Sequence, residues 1–379
     1  MRPPAIGIVG TFDVQNFGDL LFPLLAEREL RERLGDVTVT AYSHGEMARP
    51  DWPFAVRPLA RLGQDLDEQG LDVVIVGGGH LVRFDKNVAP GYGSTSPAVH
   101  HPTGYWLTPT LVAGAAGVPV AWNALGASPD TPAWARPLVA AALQVASYVS
   151  VRDEPSAREL RAVASSVDVE VVPDTAFGVT RLLGAEPKDD LSGIVSPPYV
   201  VVQATPNLRV HAQRIAAAAE PLQEAGITLV ELAVSPALGD RGGKLGIGRP
   251  LLLEPWAQPL LLTEVIGRAE AVIAFSLHLS IAAVVQGVPV YRPATALGEK
   301  YELLEQFANV HTWDCTAKPL VFGDLGRHAP GAEVEAVEAR LGQHWDAIAS
   351  LVDAPRRPRY AQLSALLAEL TGLLETPNS

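Results

Sequence analysis

The chain has 379 residues, which is long enough for two domains, and hydrophobic residues make up 48% of it. Its net charge is −13, from 42 acidic and 29 basic residues. This balance argues against a nucleic-acid partner and against a basic membrane-binding surface. It does not exclude an anionic substrate, because a local cluster of arginines can oppose the field of the whole chain.

Targeting and redox signals are weak in this sequence. Cys315 is the one cysteine, so we expect neither an internal disulfide nor a CxxC zinc site, and we interpret it as a small filler residue. The apolar run Ala5–Gly10 is too short for a signal peptide. The longest apolar stretch, Ala271–Val290, is interrupted by polar residues and a proline, so we expect no membrane span. These features predict a cytoplasmic protein, and they are compatible with an oligomer.

The first half of the sequence alternates short apolar runs with helical patterns. The first predicted helix, Asp19–Leu34, has leucines near a 3.6-residue period, and residues 80–103 form a long polar loop of the kind that is often functional. The predicted strands are Ala5–Val9, Val37–Ala41, Leu71–Val76, Val118–Trp122, Tyr148–Val151 and Val169–Val172. This alternation indicates a mostly parallel sheet with helices on both faces.

A second cycle of strands and helices begins after residue 198. Its predicted elements are Tyr199–Gln203, Leu208–Ala225, Thr228–Leu232, Glu254–Arg268, Ala271–Ala274, Ser280–Gln286 and Val288–Tyr291. We therefore expect two Rossmann-like α/β domains, residues 1–193 and 194–355, with a linker at Ile194–Pro198. The segment Ser235–Arg249 holds five glycines and is predicted as a loop over the cleft. A leucine stripe in Tyr360–Leu374 predicts a C-terminal helix, within residues 356–379, that packs back on the first domain.

A glycine-containing turn follows the first predicted strand. It runs from Gly10 to Asp19 and includes Asn16 and Gly18 at the start of a helix, whose free N–H groups can receive an anion. The turn lacks the GxGxxG spacing of dinucleotide-binding sites. An ordinary turn in which Asp19 caps the helix stays open as the alternative.

A second turn, Gly77–Gly79, directly follows a buried strand. Three successive glycines indicate that something approaches the backbone closely, either a substrate or a neighbouring segment of the chain. We interpret the next residue, His80, as a hydrogen-bonded loop histidine rather than a catalyst.

Two charged motifs also come at the ends of predicted strands. Arg152, in Ser150–Glu154, can hold a phosphate or carboxylate with two hydrogen bonds, or it can pair with a neighbouring acidic residue. Asp174, in Pro173–Phe177, can contact a substrate or cap the turn that follows it. Because ligands bind beyond the carboxyl ends of parallel strands, both motifs are predicted to lie at the cleft.

His278 lies where a strand gives way to a helix, in the sequence FSLHLS. A histidine at this position can act as a general acid, or it can be a hydrogen-bonded residue of the interdomain floor. The pair Asp65 and Asp67 has the spacing of a metal-binding DxD motif but lies in a predicted helix, where the two side chains diverge, so we interpret both as solvated. His100 and His101 lack further metal ligands.

Together these motifs resemble the polysaccharide pyruvyltransferase family, in the order in which that family presents them. Its N-x-G-D turn is matched by Asn16–Asp19 and its glycine triplet by Gly77–Gly79. Its S-x-R-D and P-D-x-A-F segments are matched by Ser150–Asp153 and Pro173–Phe177, and its R-x-H segment by Ser276–His278, ahead of a G-x-P at Gly287. The resemblance implies a glycosyltransferase-B-like pair of domains.

The resemblance also implies an activity, namely transfer of a pyruvyl group from phosphoenolpyruvate to a sugar or glycan, with a ketal formed on two hydroxyls and no metal or cofactor. His278 would be the general acid, and Arg152 would hold the donor anion. The other donor-side residues would be Ser276, Arg292 and Lys300. The remaining substrate contacts would come from Asn16, Gly18, Asp19, Gly77, Gly78, Gly79 and Asp174.

One position departs from the family pattern, since Ser276 stands where R-x-H has its arginine. Arg292 or Arg249 is a candidate replacement. The departure keeps a nucleotide-sugar glycosyltransferase open as an alternative, with Glu254 or Glu264 as ribose ligands. A non-catalytic family member that binds a glycan or a partner is the third alternative.

Overall fold

The computed structural model describes residues 2–84, 102–184, 191–251, 253, 258–294, 299–314 and 318–355. Within these ranges the first half of the chain forms a seven-stranded parallel sheet in the order β3-β2-β1-β4-β5-β6-β7. Its strands are β1 (Ala5–Val9), β2 (Thr38–Ser43), β3 (Val56–Pro58), β4 (Val73–Gly77), β5 (Val120–Leu125), β6 (Tyr148–Val151) and β7 (Glu170–Val171).

The second half forms another parallel sheet, with six strands among the described residues in the order β10-β9-β8-β11-β12-β13. These strands are β8 (Tyr199–Gln203), β9 (Thr228–Leu232), β10 (Arg249–Leu251), β11 (Ala271–Ile273), β12 (Val290–Pro293) and β13 (Val310–Trp313). The prediction of two Rossmann-like domains is confirmed.

The sheets are flanked by helices whose apolar sides complete the cores. They are α1 (Phe17–Leu34), α2 (Leu62–Glu68), α3 (Leu107–Ala115), α4 (Arg136–Val145), α5 (Glu154–Val163), α6 (Ala212–Glu224), α7 (Pro259–Gly267), α8 (Leu277–Val284) and α9 (Ala332–Ser350). Helix α1 begins after Asn16 and ends at Leu34, and it is followed by Gly35, whose φ of 79° is accessible to glycine at little cost. No helix in the described ranges is long and apolar enough to cross a membrane.

The strand order places the functional loops of both domains. In the first sheet the order reverses between β1 and β4, and in the second it reverses between β8 and β11. At such a switch point the connections leave the sheet in opposite directions and open a crevice beyond the carboxyl ends of the strands. The two glycine turns therefore lie at the crevice of the first domain, and the start of α8 lies at that of the second.

The chain passes from the first sheet to the second between Val171 and Tyr199, a stretch that includes Ile194–Pro198. We propose the domain boundary at residue 194, because β8 opens the second sheet just after it. The predicted helix Tyr360–Leu374 lies outside the described residues, as does Cys315.

Helix α9 spans the two domains. Its Arg340 donates a hydrogen bond to the Val171 carbonyl at the edge of the first sheet, and its Asp346 pairs with Arg33 of α1 at 2.7 Å. Its buried His344 is hydrogen-bonded to Tyr148 and to Asn123, which lie on β6 and β5. Apolar residues of α9 join the core cluster that includes α1 and strands of both sheets. Helix α9 therefore ties the part of the chain that follows the second sheet to the first domain.

Candidate active site

A cavity of about 520 Å³ lies between the domains, at the carboxyl ends of both sheets. Its first-domain wall comes from the loops after β1, β4 and β6, and its second-domain wall from the loops after β8, β9 and β11. The described lining residues are Thr11, Asn16, Asp19, Gly79, His80, Leu81, Arg83, Arg152, Gln203, Thr205, Asn207, Ser235, Leu238, Asp240, Phe275, Ser276, Leu277, His278 and Tyr301.

His278 reaches from the second domain onto the first. It lies in the first turn of α8, and its ring packs directly on Gly18 of α1, where a Cβ atom would come within 1.8 Å of the imidazole Nδ1. Phe22 meets the same ring edge-on at a centroid distance of 5.5 Å. Phe22 in turn fills the space over Gly78, whose φ is +83°. Gly18 and Gly78 therefore provide the room in which the two rings pack.

Behind His278 lies a buried charged group. The Oδ2 atom of Asp174 is 3.0 Å from an Arg152 nitrogen and 3.6 Å from the Nε2 atom of His278. Burial alone would raise the pKa of Asp174, but the nearby His278 and Arg152 outweigh it and hold that pKa well below its usual range. The ionised Asp174 carboxylate therefore faces the His278 ring from the buried side of the cavity. Asp174 also accepts a hydrogen bond from the Ala176 amide, so the prediction that it caps the following turn is confirmed.

Arg152 is nearly inaccessible, with 5% of its surface exposed, and it touches the cavity from behind. Besides Asp174 it faces Asp153 at 3.7 Å, which is one of the ion pairs that the sequence left open. Two carboxylates therefore neutralise its charge. Gly126, which we did not single out in the sequence, leaves space for this side chain and for His80.

Asp19 contributes a carboxyl group to the cavity. It lies in the first turn of α1 rather than at the N-cap, which is Asn16. Its Oδ2 atom accepts hydrogen bonds from the Thr11 hydroxyl at 2.6 Å and from the Asn16 amide at 2.9 Å. Burial raises the pKa of Asp19, although His278, Thr11 and Arg152 favour its ionised form. The interpretation of Asp19 as the helix cap is wrong.

The second-domain wall is built by hydrogen bonds that hold three loops together. Gln203 accepts from the backbone amides of Phe275 and Ser276, and it donates to Asp240 at 2.9 Å. Asp240 also accepts from the Val234 and Ser235 amides. The predicted glycine-rich loop thus lies at the cleft, where the Ser235 hydroxyl reaches Asn16 of the first domain at 3.2 Å.

The predicted donor-side residues differ in their position relative to the cavity. Ser276 lines the cavity and caps α8, since its hydroxyl accepts from the Leu279 amide. Arg292 is buried beneath that loop, where it donates to the Phe275 and Ser276 carbonyls and lies over the Tyr301 ring. It is not among the described lining residues. The backbone of Lys300 lies in a 3-10 helix, Glu299–Leu304, and its side chain is outside the described part.

Of the predicted substrate contacts, Asn16, Asp19 and Gly79 line the cavity. Gly77 ends β4 in extended conformation and packs near Asn123. Arg83 is a cavity residue that we did not predict, because no strand or glycine motif marks it. It follows Val82, whose amide and carbonyl bond to Gly126 and Ser128, so its backbone is fixed against the first sheet.

Several residues that we had set aside behave as structural groups. The interpretation of Asp65 as solvated is wrong, because it is fully buried and pairs with Arg57 and the Tyr42 hydroxyl, whereas Asp67 is exposed. His80 is hydrogen-bonded to Ser128 at 3.0 Å, as expected.

One of the two glutamates predicted as alternative ribose ligands can be placed relative to the cavity. Glu264 pairs with Arg268 within α7 and is not among the described lining residues, and Glu254 lies outside the described part. Among the described residues no group of three or more His, Cys, Asp or Glu side chains is placed to hold a metal.

The fold is similar to that of solved nucleotide-sugar enzymes. UDP-GlcNAc 2-epimerase from Methanocaldococcus jannaschii has a TM-score of 0.53 and 12% identity, and the match covers 91% of this chain and 100% of that one. A putative UDP-N-acetylglucosamine 2-epimerase from Listeria monocytogenes has a TM-score of 0.50 and 12% identity, with coverage of 100% and 98%. At such identities the likeness concerns the glycosyltransferase-B-like fold. A search of curated proteins returned no match.

The family comparison covers both domains. The family model described as Polysaccharide pyruvyl transferase matches residues 16–292, which is well over half of the chain. The matched segment begins at the Asn16 turn and includes the Arg152, Asp174 and His278 motifs. The chain therefore belongs to the polysaccharide pyruvyl transferase family.

Proposed function

We propose that this protein is a cytoplasmic transferase that moves a pyruvyl group from phosphoenolpyruvate to a sugar or glycan, forming a ketal on two hydroxyls. The observation that carries the proposal is the contact of His278 with Gly18, backed by the buried pair of Asp174 and Arg152. The contact joins the two domains at the cavity that both of them line, and it supports an acid that acts there.

In this proposal His278 protonates C3 of the donor, the methylene carbon. The carboxylate of Asp174 faces Nε2 of His278 at 3.6 Å, and His278 itself lines the cavity, so the ring is placed to give a proton to a donor bound there. C2 then carries the positive charge that a sugar hydroxyl attacks. The cavity of about 520 Å³ has room for a small donor and one sugar ring together.

Donor binding needs positive charge, and Arg152 offers little because two carboxylates surround it. We propose that Arg83 supplies the charge that Ser276 lacks. It lines the same cavity, it is more exposed than Arg152, and its backbone is fixed by the hydrogen bonds of Val82. The acceptor would then lie along the turn at Asn16 and Gly79.

Isothermal titration calorimetry and turnover with phosphoenolpyruvate test these roles. His278→Gln should lower turnover by ~10²–10⁴-fold while leaving donor binding nearly intact, because it removes the proton donor and leaves Arg83 in place. Arg83→Gln should weaken donor binding, whereas Arg28→Gln, at an exposed position of α1, should leave it unchanged. Arg152→Ala should mainly lower stability, since it leaves buried carboxylates unpaired, and it should weaken donor binding less than Arg83→Gln does.

A nucleotide-sugar donor is the second candidate, favoured by Ser276 in place of the arginine of R-x-H. Thermal shift assays with phosphoenolpyruvate and with UDP-sugars separate the two, because a ligand that binds only the folded protein raises its melting temperature. Wild-type protein that is stabilised by a UDP-sugar and shows no calorimetric binding of phosphoenolpyruvate would refute pyruvyl transfer.

A further inference from the structure

The cavity contains a second titratable group, Asp19, which the sequence predicted only as a substrate contact. Asp19 adjoins Gly18, the α1 residue on which the His278 ring of α8 packs, and the carboxyl and the imidazole line the same cavity. The hydrogen bonds of Asp19 from Thr11 and Asn16 both go to Oδ2. Its other oxygen, Oδ1, lies on the Gly79 side, where a glycine Cβ atom would come within 3.4 Å of it. Oδ2 thus holds the Asp19 carboxyl in place, and Oδ1 is the oxygen that can contact a ligand in the cavity.

Ketal formation requires a group that His278 alone does not provide. Two sugar hydroxyls lose their protons, one proton is added to C3, and one is added to the departing phosphate. A single acid would have to change its protonation state four times in turn. A second group that accepts a proton and then releases it makes the sequence balance, and such a group needs a pKa nearer neutrality than that of an ordinary carboxyl.

Among the described carboxyl groups at this site, the other two are occupied. Asp174 is 1% exposed, pairs with Arg152 and is not among the lining residues. Asp240 lines the cavity too, and burial raises its pKa as it raises that of Asp19. It lies on the second-domain wall, where its Oδ2 atom holds its own loop through Gln203 and two backbone amides, whereas Asp19 adjoins the His278 contact at Gly18. Asp19 also has a raised pKa beside the lowered pKa of Asp174, which is the divergence expected of a proton acceptor and a charge-stabilising partner.

We propose that Asp19 removes the proton from the first attacking hydroxyl and then delivers it to the leaving phosphate. This inference rests on the proposed pyruvyl transfer. His278 first gives its proton to C3, and the hydroxyl oxygen bonds to C2 as its proton passes to Asp19. Protonated Asp19 gives that proton to the bridging oxygen as the bond between C2 and this oxygen breaks. The second hydroxyl bonds to C2 and returns a proton to His278, so both side chains regain their initial charge.

The first test is Asp19→Asn, measured with phosphoenolpyruvate and a panel of methyl hexopyranosides as acceptors. We expect kcat for ketal formation to fall by ~10²–10⁴-fold, because an amide neither accepts nor delivers the proton. Exchange of deuterium from D2O into C3 of phosphoenolpyruvate should persist, because that step needs His278 alone. The matched control is Asp13→Asn, a carboxyl of the same loop that bonds to Ser43 and Gly45 instead of the cavity, and its kcat should stay near the wild-type value.

The second test keeps the carboxyl and changes its acidity. Thr11→Val removes a hydrogen bond that favours the ionised form of Asp19, so the acid limb of the kcat profile should move to higher pH. His278, Arg152 and Asp174, the other charged groups that act on Asp19, are unchanged in this variant. A merely structural role of Asp19 predicts no such displacement.

The outcomes separate the two proposals. Wild-type protein that neither forms a ketal nor exchanges deuterium refutes pyruvyl transfer, and with it the role of Asp19. An active wild type with Asp19→Asn at near wild-type kcat overturns the role of Asp19 alone. Loss of C3 exchange in Asp19→Asn overturns it too, since the carboxyl would then be acting on His278. An unmoved acid limb in Thr11→Val, with a shifted limb in His80→Gln, would assign the base to His80 instead.

Discussion

Replacing Gly18 with alanine probes the contact between the two domains directly. In an exposed helix this change stabilises a protein by ~0.5–1 kcal/mol, because glycine loses more backbone entropy on folding. At Gly18 the new Cβ atom would come within 1.8 Å of the His278 Nδ1 atom, so the ring or the helix must move. Overpacking of this kind costs ~1–3 kcal/mol. The sum is a net loss of up to ~2.5 kcal/mol, or a few degrees in Tm.

Thermal denaturation and urea unfolding measure this change without any assumption about activity. Gly63→Ala is the matched control, because Gly63 is an exposed residue of α2 whose Cβ atom would meet Val112 at an ordinary 3.7 Å. It should stabilise the protein by the usual amount. In the double variant with His278→Ala the ring is gone, so Gly18→Ala should become neutral or stabilising, with a coupling energy of ~0.5–3 kcal/mol.

The turnover of Gly18→Ala provides a second test of the same contact. A reacting group that is displaced by ~1 Å can cost ~10²-fold in rate, so Gly18→Ala should impair turnover more than it impairs stability. Gly18→Ala that is as stabilising as Gly63→Ala, with no coupling to His278, would refute the packing described above.

Three further outcomes are expected. Asp65→Asn should lower the free energy of unfolding by ~1–3 kcal/mol, because it breaks a buried network with Arg57. The control Asp67→Asn should change this free energy by less than ~0.5 kcal/mol. Urea unfolding measures both variants. Burial lowers the pKa of His344 from 6.5 to about 3, so only the unfolded chain binds this proton between those values. Wild-type stability should therefore fall with decreasing pH by up to ~1.4 kcal/mol per unit in that window, and the loss should be smaller in His344→Asn. Ser276→Arg should tighten phosphoenolpyruvate binding by ~10-fold, as measured by calorimetry. The same change removes the cap of α8, which costs ~0.5–2 kcal/mol of stability. Unchanged affinity would argue against this position as a donor contact.

The strands of this protein were largely predictable because fully buried parallel strands are continuous apolar runs. Ala5–Val9, Tyr148–Val151, Tyr199–Gln203 and Thr228–Leu232 have the predicted bounds. The edge strand Val56–Pro58 was missed, because three residues with a charged centre give no such run.

Helix α9 was missed although its signal is present. Val334, Val337, Leu341, Trp345 and Ile348 recur at helical spacing, but alanine and glutamate dominate the positions between them. The helical spacing of the apolar residues predicts α9, whereas the mean hydropathy of the segment does not.

The candidate site was predictable only in its parts. Position after a strand was enough to bring Asp19, Arg152 and His278 to one crevice, because parallel strands end at the same edge. The contact of His278 with Gly18 depends on how one domain docks on the other, and no local pattern contains that. Arg83 could not be predicted for a related reason. Its position depends on the β-bridge between the neighbouring Val82 and Ala127, which lies in a loop distant in sequence.

The position of α9 has a consequence for how the protein is made. Its apolar residues, among them Val337 and Trp345, belong to the cluster that covers α1, which comes near the very start of the chain. When every strand of the first sheet has left the ribosome, α9, whose apolar side covers the core around α1, has therefore not yet been translated. Nascent chains that end before Ala332 expose this apolar face and are natural clients for chaperones. The first domain to emerge is thus completed by a helix that is translated after the strands of both sheets.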